Sequence, residues 1–114
     1  MKKFDYQPST SDVETMLTTL TIMTSLLPTL DLEDFDELHK QQNIYYANSA
    51  IKRLENLETK ISGNELQAIF NSLLIADMIN HKELHVDESV AKLCTERIFT
   101  IQKLISVFEN LFDD

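Results

Sequence analysis

One glycine, Gly63, and two prolines, Pro8 and Pro28, are all that this chain of 114 residues has of the two strongest turn formers. Phosphate-cradling loops need glycines where the backbone must approach the ligand closely, so Walker-type and dinucleotide-binding fingerprints are excluded. A sandwich or barrel of many strands would also demand far more turn glycines. A single cysteine, Cys94, leaves no internal disulfide to form, which fits a reducing compartment. Positive charge is scarce as well: ten basic residues face 19 acidic ones, for a net charge of −9. Nucleic acid and anionic membrane surfaces repel such a chain, because binding them requires Lys and Arg to displace counterions.

Long apolar runs are missing too. The best stretch, Leu73-Leu74-Ile75-Ala76, ends at Asp77, far short of the ~18 residues a spanning helix needs. Lys2 and Lys3 precede no apolar core of a signal peptide. A cytoplasmic location is therefore expected. What is present, 43% hydrophobic and 25% charged residues, is the composition of an ordinary folded domain. The patterning predicts an all-α fold, an antiparallel four-helix bundle with helices at roughly 12–27, 32–61, 65–80 and 88–112. Residues 1–10 read as a short arm and 11–114 as a single domain.

The local signals behind these helices are specific. Ser11 with Glu14 has capping-box spacing, Val13, Met16, Leu17 and Leu20 follow at helical intervals, and Pro28 stops the run. Five threonines between Thr15 and Thr24 oppose a helix through their β-branching, and leave a strand over 20–23 as the competing reading. Asp31 is a candidate cap for the second helix, whose seam runs Phe35, Leu38, Gln42, Tyr45, Ala50, Leu54, Leu57 and Ile61. Gly63 then falls where a left-handed cap residue would end it. Ser62 with Glu65 starts the third helix, which is apolar over most of its circumference and so buried on several sides. Asp87 caps the fourth, with Val90, Leu93, Cys94, Arg97, Ile101, Leu104, Ile105, Phe108 and Leu111 on its face. Helices of such unequal length leave an overhang around Phe35, Leu38 and Tyr45, and a homodimer through helices 2 and 4 would cover it.

No enzyme signature emerges. Cys94 lies on an apolar stripe, where a free cysteine behaves as a small hydrophobe. Carboxylates cluster at helix starts, where capping accounts for them, and no cofactor motif is found. Asp77, His81 and His85 would share one face of a continuous helix, as metal ligands must, but the segment reads as a turn. The stronger candidate is the acidic patch Asp31, Glu33, Asp34, Asp36 and Glu37, which mixes carboxylates with Phe35 and Leu38. Such a patch suits docking on a basic, partly apolar surface of another protein. Tyr45 and Tyr46, about 100° apart on a helix, can place one ring inward and one outward, and tyrosine is favoured at interfaces. The expected function is a non-catalytic protein–protein interaction of the regulator, antitoxin, immunity or inhibitor type. The alternatives are a DNA mimic, against which Lys40, Lys52, Arg53, Lys92 and Lys103 interrupt the acids, and a metal- or small-ligand-binding bundle.

Overall fold

Backbone hydrogen bonds in the computed structural model, which describes residues 7–30, 36–58 and 60–112, are those of helices and their caps, with no strand among the described residues. Among the described residues there are five α-helices rather than four: α1 (Thr10–Leu26), α2 (Glu37–Glu55), α3 (Gly63–Asn80), α4 (Glu88–Glu96) and α5 (Ile98–Phe112), with a 3-10 turn at Leu27–Thr29.

Helix α1 begins at a capping box two residues earlier than the sequence suggested. Ser9, not Ser11, is the N-cap: its hydroxyl accepts from Asp12 N–H, and Asp12 Oδ2 accepts from Ser9 N–H, both at 3.1 Å. Asp12 wins over Glu14 because the same carboxylate is drawn inward by Lys103, whose Nζ stands 2.6 Å from Oδ1. The threonine-rich stretch is helical throughout, and residues 20–23 are not a strand. Thr18, Thr19 and Thr21 donate their hydroxyls to carbonyls three or four residues back, so the side chains are satisfied without leaving the helix. Pro28 sits in the 3-10 turn that closes this segment.

The second helix is shorter than predicted. It starts at Asp36, whose carboxylate accepts from His39 N–H at 2.9 Å; the expected cap Asp31 lies outside the described residues. It stops at Glu55, because Leu57 turns left-handed at φ 56°. Glu58 N–H then bonds back to Arg53 C=O at 2.9 Å and Leu57 N–H to Leu54 C=O at 3.1 Å, a Schellman cap. Gly63 is not that cap. It is the first residue of α3, behind the predicted Ser62–Glu65 capping box. The buried stripe of α2 is also shifted: Ala47, Ala50 and Leu54 face the core, while Leu38, Gln42 and Tyr45 point outward. The two alanines let the helix approach its neighbours closely, which larger apolar residues at the same places would prevent.

The predicted fourth helix is two. Arg97, at φ −116°, separates α4 from α5, and its guanidinium donates to Thr15 Oγ1 of α1 at 3.1 Å. The break turns Leu93 outward, contrary to the single-stripe reading, while Cys94, Ile101, Leu104 and Phe108 stay buried. With α2 at 19 residues against 17 for α1 and 18 for α3, the length mismatch that motivated a dimer is absent. The core is formed by Met16, Leu20 and Met23 of α1 and Leu27 of the 3-10 turn with Leu66, Ile69, Leu73 and Ala76 of α3, and α2, α4 and α5 pack around α1 and α3. Phe70, Phe108 and Phe112 join α3 to α5, with ring centroids 5.7–6.4 Å apart. No helix among the described residues is long and apolar enough to cross a membrane.

Candidate functional site

The outer face of α2 carries two large exposed apolar side chains, where α5 carries one, Phe99. Leu38 is 62% exposed and Tyr45 63% exposed, seven residues apart and therefore on the same side of the helix. Tyr45 stacks on Tyr46 with centroids 5.2 Å apart, and Tyr46 packs against the core. One tyrosine is thus anchored and presents the other. Beside Tyr45, Asn48, Ser49 and Lys52 enclose a shallow, open depression of about 370 Å³. Of these lining residues, Ser49 donates its hydroxyl to the buried Glu65 at 2.6 Å.

At the N-terminal end of this face stand Asp36 and Glu37, both exposed. The backbone N–H of His39 chiefly, and its ring Nδ1 at 2.7 Å, hold the Asp36 carboxyl below its ordinary pKa. Both carboxylates also lie at the positive end of the helix dipole. Lys40, one turn on, directs its ammonium to the Leu30 carbonyl and fastens the start of α2 to the end of the preceding segment. Asp31, Glu33 and Asp34 of the predicted patch lie outside the described residues.

Along the sequence the net charge is concentrated in one stretch, in a way the residue-by-residue reading missed. Residues 4–39 hold eight acidic residues and no lysine or arginine, so they supply almost all of the net −9. The signal was available by summing charge along the chain rather than by inspecting helix starts. Leu38, which the sequence places both on the inner seam and in the acidic patch, is exposed; Lys52, read as an interruption of the acids, lies beside Tyr45.

The other candidates are spoken for. His81 caps the end of α3, and its Nδ1 bonds the Asp77 carbonyl at 2.8 Å. This contact, with the nearby Asp77 carboxylate, raises the His81 pKa. His85 is exposed beyond the turn, so Asp77, His81 and His85 do not converge. Among the described residues no group of three or more His, Cys, Asp or Glu side chains is placed to hold a metal ion. Cys94 is buried, and desolvation pushes its thiol pKa up, away from a reactive thiolate.

Among the described residues two carboxylates are buried, and both are structural. Asp12, 1% exposed, ties α1 to α5 through Lys103. Glu65, 2% exposed, accepts from Ser49, from Arg53 Nε at 2.7 Å and from Ser62 N–H at 3.0 Å. Burial raises the Glu65 pKa, but the hydrogen bonds from Ser49, Ser62 and Arg53 outweigh it and hold the group at about 2. No buried side-chain nitrogen or oxygen among the described residues lacks a hydrogen-bond partner.

Comparison of the chain with family models, with curated proteins and with solved structures returns no match.

Proposed function

We propose that this protein acts without catalysis, by docking on another protein through the acidic end and outer face of α2. The observation that carries the reading is Leu38, largely exposed beside Asp36 and Glu37 at the end of a run of 36 residues that is rich in carboxylates and free of lysine and arginine. A large apolar side chain flanked by carboxylates matches a partner surface that is basic and partly apolar. The apolar contact supplies affinity, and the unbalanced charge speeds and orients the encounter. Within that run Asp12 is buried and paired with Lys103, so the exposed Asp36 and Glu37 are the described carboxylates that this face offers. Size and charge of this kind are shared by regulators, antitoxins, immunity proteins and inhibitors, which is an analogy of class.

The test compares wild type with a triple variant, Asp36→Ser, Glu37→Lys, Leu38→Ser, as baits in lysate of the native host treated with nuclease. Serine at 36 retains a helix cap, so helicity by circular dichroism is expected to be unchanged. A protein held by the wild type in low salt, released by high salt and absent from the variant is the expected result. The same proteins on both baits would overturn the assignment. Release of the captured protein by added DNA would show that the carboxylates stand in for phosphates.

A further inference from the structure

We infer that the outer face of α2 pairs with the same face of a second copy of this chain, antiparallel and about a two-fold axis. The inference rests on the reading of this face as a docking surface and names one occupant for it. The depression beside Tyr45 is lined by Tyr45, Asn48, Ser49 and Lys52, at positions i, i+3, i+4 and i+7. Four residues at that spacing form the hole that receives one side chain of a facing helix. The side chain that fits is on the same face: Leu38, one heptad before Tyr45 and 62% exposed.

A two-fold axis perpendicular to the helix near residue 43 places Leu38 of each copy over the hole of the other, and satisfies both contacts at once. The charges obey the same operation. Lys52 stands exposed at the rim of the hole, and Asp36 and Glu37 flank the leucine, so each copy's Lys52 comes within reach of the other's carboxylates. Gln41, Gln42 and Tyr45 fill the centre, where polar groups of one copy meet the ring of the other. A contact with a different protein requires only one of these features; self-complementarity of knob, hole and both charges on one helix face is what an isologous contact requires. Because Ser49 is hydrogen-bonded to Glu65, the hole is held open before association. The excess of carboxylates over Lys52 leaves an acidic surface at each end of the pair.

Sedimentation of the full chain over a concentration series in low salt tests the pairing. The mass should rise from monomer to dimer. Glu37→Lys and Lys52→Glu should each weaken association roughly tenfold, since each acts twice by symmetry. An equimolar mixture of these two variants should recover it as a heterodimer, and so should the double variant. Leu38→Ser, at an exposed position, should remain monomeric with unchanged helicity. A wild type that stays monomeric throughout, or a dimer indifferent to all these changes, overturns the inference. The two readings fail separately: a wild type that is monomeric at every concentration overturns the pairing, whereas capture of a partner from lysate is read on its own baits.

Discussion

Glu65 does two jobs with one carboxylate: Oε1 completes the capping box of α3, and Oε2 receives Ser49 and Arg53 from α2. The first job is legible in the sequence, because Ser62 and Glu65 have the spacing the motif demands. The second is not. Arg53 is 12 positions away across a helix end, and only the fold brings it within 2.7 Å. With its folded pKa near 2, below the ordinary 4.5, Glu65 stabilises the fold in full above about pH 5.5. That contribution, about 3 kcal/mol, should fade as the pH falls from about 5 towards 2 and be absent below both values. Glu65→Gln should therefore lower stability at neutral pH by about 2–3 kcal/mol, leaving Ser49 and Arg53 with a poorer acceptor. Urea titrations at several pH values check both statements: the variant should show a smaller fall in stability between pH 5 and 3 than the wild type.

At the scale of the helices, glycine is in the wrong place by the ordinary rules. The two Schellman caps put Leu57 at φ 56° and Lys82 at φ 60°, conformations in which a side chain is strained, whereas Gly63 opens α3 without a positive φ. The expectation that Gly63 ends the second helix fails for this reason: a cap motif was inferred from the residue best suited to it, and the chain uses a residue that is not. Leu57 is 78% exposed, so replacing it removes little packing. Leu57→Gly should raise stability by about 0.5–1 kcal/mol, read as a higher melting temperature. A methyl group at Gly63 would meet nothing within 4 Å, and Gly63→Ala should add a similar amount by restricting the unfolded chain.

The outward turn of Leu38 and Tyr45 has a related cause. Periodicity alone favours the larger apolar residues as the buried stripe of α2, yet close packing selects Ala47 and Ala50. The start of α3, the stop near Pro28 and the buried character of Cys94 could be read from sequence, since each depends on neighbours along the chain. The break at Arg97 could not, because it is stabilised by Thr15 on another helix.

At the scale of the whole molecule, long-range hydrogen bonds tie α1 to Lys103 of α5 and to Arg97 at the break between α4 and α5. Lys103 meets Asp12 over 91 positions, and Arg97 meets Thr15 over 82. A chain cut after Arg97 loses Lys103 together with Ile101, Leu104 and Phe108, and exposes the inner surface of α1 and α3. Such a fragment should keep helical circular dichroism but show collapsed amide dispersion in its NMR spectrum and bind a hydrophobic dye. The order of synthesis gives this arrangement a consequence. Met16, Leu20 and Met23 are made about 80 residues before Ile101, Leu104 and Phe108 of α5, which complete the same core. Until α5 has emerged the nascent chain carries an uncovered apolar surface, and chaperones that recognise such surfaces have a defined window in which to act.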